Sequence, residues 1–217
     1  KMTASPILAP ENPEVITVGF VEGVPVTVNG VAMEPLEIIM ELNRMAGLHG
    51  IGRIDHIESR VVGIKSREVY EAPAAVTLIT AHQALEAMVL TREEAEFKAQ
   101  VDAKWAKLAY DGKWHSPIMK ALNSFIETTQ KSVTGVVKIK MYKGGLHVIG
   151  RSSNNSLYDE GLATYGEGDP FDHAAAEGFI KIYSMETATL SRLGEKGLCK
   201  GDVEEEKTLM QVGAVLA

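Results

Sequence analysis

Residues 57–73 read IESRVVGIKSREVYEAP and set Glu58, Arg60, Lys65, Arg67, Glu68, Tyr70 and Glu71 around a single glycine, Gly63. The preceding GIGRIDH adds Arg53, Asp55 and His56. Alternate side chains of an extended segment share a face, which groups Glu58 with Arg60 and Val62 and turns Ile57, Ser59 and Val61 the other way. A carboxylate such as Glu58 can accept a charge-assisted hydrogen bond from a ligand ammonium. The Tyr70 hydroxyl can donate to a carboxylate or a ureido oxygen. Lys65 and Arg67 can hold an anion. Together these groups would make a pocket for a zwitterion. The same residues also make an ordinary solvated, salt-bridged strand and turn, and charge alone leaves that the simpler reading.

The elements that must position this segment follow from periodicity. Residues 1–13 carry three prolines and no clear period, and read as a linker. EVITVGF alternates Ile16, Val18 and Phe20 against Val15, Thr17 and Gly19, and Glu22-Gly23 and Asn29-Gly30 are tight-turn signals, so strand–turn–strand–turn is expected. Pro25 puts the second strand at an edge. EPLEIIMELNRMAGLHG changes to helical spacing, with Leu36, Ile39, Met40 and Met45 as its apolar stripe, Pro35 at the start and Gly47 or Gly50 at the stop. Residues 51–73 read as a strand interrupted at Gly63 and then a turn-rich loop. Three helices follow. One lies in AAVTLITAHQALEAMVL. One opens on the capping box TREE and carries Phe97, Val101, Trp105 and Leu108. One opens at Ser116-Pro117 with Ile118, Leu122, Phe125 and Ile126 inward. VTGVVKIKMYKGGLHVIGR returns to period two, with Val137, Ile139 and Met141 on one face and the turn at Lys143–Gly145. Asp172 caps a helix over 173–193, buried through Ala176, Phe179, Ile180 and Tyr183. Residues 194–217 form a tail. Strands and helices are grouped rather than alternating, which predicts an α+β fold of antiparallel hairpins with packed helices.

The totals narrow the function classes. The chain has 217 residues, 45% hydrophobic and 24% charged, with a net charge of −7. That range supports a buried core. An acidic chain with no basic cluster is a poor partner for nucleic acid. The single cysteine, Cys199, cannot make an internal disulfide or a multi-cysteine zinc site, and a cytoplasmic setting fits. No apolar run approaches a membrane span. There is no G-x-x-x-x-G-K-[ST] loop, Rossmann fingerprint, H-E-x-x-H or G-x-S-x-G. His82 on its apolar helix reads as a packing histidine and His115 as a helix-end contact rather than general bases. Ser152, Ser153 and Ser156 have no local histidine to activate them. Tyr142 with Lys138 and Lys140 reads as the solvated face of a strand.

Taken as text, GLHGIGRIDHIESRVVGIKSREVYEAPAAVTLITAHQALE resembles the C-terminal half of the argininosuccinate synthases. So do LAYDGKWHSPIMKALNSFI, TQKSVTGVVKIKMYKG, VIGRSSNNSLYDE and AAEGFIKIYS. The likeness runs from residue 14 or so to residue 185 or so. It implies an enzyme that joins citrulline to aspartate, converting ATP to AMP and pyrophosphate through a citrullyl-adenylate. In that family a glutamate and a tyrosine twelve residues later contact citrulline, and these match Glu58 and Tyr70 here. The resemblance further implies a citrulline-binding synthetase domain at 14–172 and an oligomerisation helix at 173–193 that reaches across a neighbour in a homotetramer. It implies ATP, with Mg2+, held mainly by an N-terminal nucleotide-binding domain. The S-G-G-x-D-[ST]-S pyrophosphate loop of that domain does not occur in these residues. The chain is therefore expected to be inactive alone, supplying part of the citrulline site and an oligomer interface. A non-catalytic interaction module from a split or degenerate synthase is the alternative. Residues 194–217 depart from the family pattern.

Overall fold

Three two-residue turns organise the main sheet. Glu22-Gly23, Asn29-Gly30 and Lys143-Gly144 all take positive φ at both positions, the chirality that matches the twist of the strands they join. They connect β1 (Glu14–Val21) to β2 (Val24–Val28), β2 to β3 (Val31–Ala32), and β6 (Gly135–Tyr142) to β7 (Gly145–Ser152). The computed structural model describes residues 2–163 and 172–195, which fall into two units, 1–159 and 160–217. In the first unit the five strands run β3-β2-β1-β6-β7, every neighbour antiparallel. The second sheet is a separate two-stranded hairpin of β4 (Arg53–Ser59) and β5 (Lys65–Glu71). The fold is α+β.

The alternation in β1 and β6 is the core. Ile16 lies opposite Ile139 and Val18 opposite Val137, and these four with Phe20 and Met141 are at most 3% exposed. Two helices, α1 (Pro35–Leu48) and α2 (Pro73–Val89), close the core with Ile38, Leu42, Met45, Ala81, Leu85 and Val89. Apart from the small Ala81, each such side chain contributes on the order of 1.5–3 kcal/mol by leaving water. Pro25 sits where β2 has no outer neighbour, because β3 reaches only Thr27 and Val28. Its missing amide therefore costs no ladder bond.

The structure corrects several expectations of the fold. Leu36, Ile39 and Met40 do not form the buried stripe of α1: they are exposed, and Ile38 and Leu42 point inward with Met45. Both sets have helical spacing, and the approach of β2 and α2 selects the second. The start is also tighter than the proline alone implied, since Glu34 and Glu37 form a capping box. Second, residues 65–71 are a strand, not a loop. Third, the C-terminal helix is two helices of 11 residues, α6 (His173–Tyr183) and α7 (Met185–Glu195), meeting at Ser184. Asp172 caps α6 as expected, accepting from the amides of Ala174 and Ala175. Phe179, Ile180 and Tyr183, however, are exposed rather than buried. A short helix α5 (Glu160–Ala163) precedes them. The tail from residue 196 on, with Cys199, lies outside the described residues.

Helices α3 (Arg92–Tyr110) and α4 (Pro117–Gln130) complete the first unit. The Thr91 hydroxyl accepts from the Glu94 amide, and the Glu94 carboxylate accepts from the Thr91 amide at 2.9 Å. Ser116 caps α4 by accepting from the Met119 amide. Val101 and Leu108 are buried as expected, and Met119 is buried in place of Ile118. His82 is a packing residue: it bonds Gln130 Oε1 at 2.8 Å and meets Phe20 edge-on at 5.6 Å.

Candidate functional site

The charged stretch folds into a hairpin because its two halves alternate in step about Gly63. At the tip the Arg60 amide donates to the Ile64 carbonyl and the Gly63 amide to the Arg60 carbonyl, with Gly63 at φ +85°. At the base Gly52, at φ +102°, lets the chain pass so close to Pro73 that a Cβ would stand 2.5 Å from its nitrogen and Cα. The Ala72 amide there donates to the Gly52 carbonyl. The register pairs Ile54 with Tyr70, His56 with Glu68 and Glu58 with Ser66, so those six side chains share one face.

On that face Glu58 is the centre. The Tyr70 hydroxyl donates to its Oε2 at 3.3 Å, and His56 Nε2 lies 3.7 Å from the same oxygen. The His56 and Tyr70 rings lie 5.4 Å apart. The Tyr110 hydroxyl, at the end of α3, reaches Oε1 at 3.5 Å. Glu58 is 19% exposed at its side chain and Tyr70 44% exposed. The carboxylate is sheltered yet reachable. Desolvation raises the Tyr70 phenol above its ordinary range, and the negative charge of Glu58 adds to it. The phenol therefore stays protonated and remains a donor.

Glu68 shares this face, opposite His56, but the remaining charges of the stretch do not. Arg67 makes a two-pronged contact with Asp55, at 2.9 and 2.5 Å, on the opposite side. That guanidinium holds the Asp55 carboxyl below the usual range. Lys65 donates to Ser59 at 2.6 Å. The expected anion-binding pair is thus separated from Glu58 and Tyr70 by the sheet itself. Arg60, beyond the strand end, lies in the turn rather than beside Glu58. Tyr110 and His56 are the site neighbours that sequence spacing did not pick out. Tyr110 lies 52 residues from Glu58, and only the packing of α3 brings it there.

Among the described residues no group of three or more His, Cys, Asp and Glu side chains converges as metal ligands do. No described helix is long and apolar enough to cross a membrane.

Residues 1–190 match the family described as "Arginosuccinate synthase C-terminal domain". Among curated proteins, the argininosuccinate synthase of Oceanobacillus iheyensis is 53% identical over 96% of this chain and 51% of its own length. That of Geobacillus kaustophilus is 55% identical over 86% of this chain and 46% of its own length. That of Pyrococcus furiosus is 54% identical over 82% and 44%. The chain spans about half the length of these relatives. The Oceanobacillus likeness covers more of the chain than residues 1–193 can supply, so it runs into the tail that was expected to depart from the family. A likeness of this depth, carried across bacteria and an archaeon, leaves one conclusion: the chain belongs to the argininosuccinate synthase family and comprises its C-terminal domain.

Proposed function

We propose that this chain supplies half of the citrulline site of an argininosuccinate synthase, a ligase that joins citrulline to aspartate with conversion of ATP to AMP and pyrophosphate. The observation that carries the reading is the meeting of Glu58 and Tyr70 on one face of the β4–β5 hairpin, 3.3 Å apart. In this reading Glu58 accepts from the citrulline α-ammonium, a charge-assisted bond of about 1.5–3 kcal/mol. Tyr70, protonated throughout the neutral range, donates to the citrulline carboxylate or ureido oxygen. Their tasks are binding and orientation. In the adenylation the ureido oxygen displaces pyrophosphate from the α-phosphate, and in the second step the aspartate amine displaces AMP. ATP with Mg2+ and aspartate bind on the remainder of the enzyme. The exposed apolar row Phe179, Ile180, Ile182 and Tyr183 supports an oligomerisation role for residues 173–193 in a homotetramer, with the enzyme in the cytoplasm.

The test is steady-state kinetics of the complete synthase carrying this sequence. Glu58→Gln is expected to raise the KM for citrulline by about tenfold or more, with the KM for ATP little changed. A citrulline KM equal to wild type removes Glu58 from the site.

A further inference from the structure

The base of the citrulline hairpin is bound to the first residues of the chain. Glu71, next to Tyr70, accepts from the Met2 amide at 2.6 Å and from the Thr3 hydroxyl at 2.5 Å. Arg53, opposite Glu71 in the register, donates from Nε to Thr3 Oγ1 at 2.8 Å and from Nη2 to the Ala4 carbonyl. Thr3 therefore joins a guanidinium to a carboxylate through one hydroxyl, and it is 3% exposed. Charge-assisted bonds of this kind are short and directional. The Thr3 hydroxyl and the Met2 amide also hold the Glu71 carboxyl below the usual range, so it is ionised at neutral pH.

The same residues are laid on α1. The Ala4 amide donates to the Gly47 carbonyl at 2.8 Å. A Cβ at Gly47 would stand 2.3 Å from the Met2 carbonyl oxygen. Any side chain there displaces the segment, and glycine is what so close a backbone approach requires. Residues 1–13 were expected to be a linker, yet residues 2–4 are bonded on one side to α1 and on the other to both strands of the hairpin.

We propose that residues 2–4 are a positioning strap for the citrulline site. It rests on the reading of Glu58 and Tyr70 given above. A two-stranded hairpin is marginal by itself. The strap supplies a second anchor and sets the height of the hairpin base over α1. Thr3, Arg53 and Glu71 do not touch substrate. They act through the strand that ends one residue after Tyr70, and through Arg53 five residues before Glu58. The matched family is a C-terminal domain, and the relatives are about twice as long. In a protein of that length the strap is the segment through which the preceding half is tied to the residues that hold citrulline.

The experiment compares Thr3→Val, Thr3→Ser and Gly47→Ala in the complete synthase, with Glu58→Gln alongside. Two quantities are read: citrulline and ATP kinetics, and hydrogen exchange of the 53–71 amides. Thr3→Val removes the shared hydroxyl at nearly constant volume. It is expected to raise the citrulline KM about tenfold while the ATP KM and kcat stay within about twofold. It is also expected to speed exchange across 53–71. Thr3→Ser restores both. Gly47→Ala is expected to repeat the Thr3→Val pattern, although alanine favours α1 itself. Unchanged exchange overturns the strap, as does faster exchange with an unchanged citrulline KM. A parallel rise in both KM values overturns it too, since general loosening is then the cause. If Glu58→Gln raises the citrulline KM and Thr3→Val does not, the strap alone fails. If Glu58→Gln leaves it at the wild-type value, the site reading fails and the strap proposal with it.

Discussion

Replacing Lys98 with methionine should unfold the first unit more readily than any single loss on its surface. Lys98 is 7% exposed and Glu86 8% exposed. Lys98 Nζ lies 3.1 Å from Glu86 Oε1 and 2.6 Å from Asp102 Oδ2. Glu86 Oε1 also accepts from Gln130 Nε2 at 2.7 Å, and His82 Nδ1 lies 3.6 Å from Oε2. Burial lowers the Lys98 pKa, but the hydrogen bond that Lys98 donates to Asp102 and the charge of Glu86 outweigh it, and the net shift is upward. The pair thus favours the charged lysine. Its stabilisation is complete below the ordinary lysine pKa, near 10.4, and is lost as pH rises through the higher folded value. Lys98→Met leaves the Glu86 carboxylate buried with one amide and a distant imidazole. Orphaning a buried ion costs about 3–5 kcal/mol. The half-exposed Asp102 side of the network opens to water, so about 3 kcal/mol is expected here. Urea unfolding followed by tryptophan fluorescence is a direct assay, because Trp105 lies on α3 and donates to Asn123 of α4 at 2.8 Å. Adding Glu86→Leu should recover most of the deficit, since an apolar pair of similar volume is often as stable. A Lys98→Met variant within about 1 kcal/mol of wild type would refute the reasoning.

Two further outcomes follow from the site. Gly52→Ala forces an alanine to φ +102° with its Cβ against Pro73. It should cost on the order of 2–3 kcal/mol and loosen the hairpin base, visible as a lowered unfolding midpoint. The Tyr70 phenol, raised by burial and by Glu58, should ionise above the ordinary range in a spectrophotometric titration. Its contact with Glu58 is complete below about pH 10 and is lost as pH rises through that higher value. In Glu58→Gln the phenol should ionise at lower pH than in wild type, and an unmoved titration would show that the two groups do not communicate.

Much of the main sheet can be read from residue order. Glu-Gly, Asn-Gly and Lys-Gly mark its turns, and the alternation of Ile16, Val18 and Phe20 survives folding because one face of β1 is fully covered. Thr91 and Ser116 cap as their neighbours imply, since capping is a local bond. What failed depends on other elements. The α1 sequence offers two apolar stripes, and only contact with β2 and α2 decides between them. Strand β5 is mostly polar and has no fully buried residue, so its period carried no apolar signal. Phe179, Ile180 and Tyr183 form an exposed apolar row that no described residue of their own unit buries. Physical chemistry alone did not separate Glu58 and Tyr70 from a solvated hairpin. The likeness to the family singled them out, and the register then brought them to one face. It also turned Lys65 and Arg67 away, a result that depends on pairing across Gly63 and on no single residue.

The central claim is that Glu58 holds the α-ammonium of citrulline, and substrate discrimination tests it most directly. The complete synthase is assayed with citrulline and with the analogue that lacks the α-amino group, in wild type and in Glu58→Gln. Wild type is expected to favour citrulline in kcat/KM by about a hundredfold, the worth of one charge-assisted bond and an otherwise unpaired carboxylate. In Glu58→Gln that preference should fall to about tenfold or less. An undiminished preference in the variant would place the ammonium elsewhere and contradict the account.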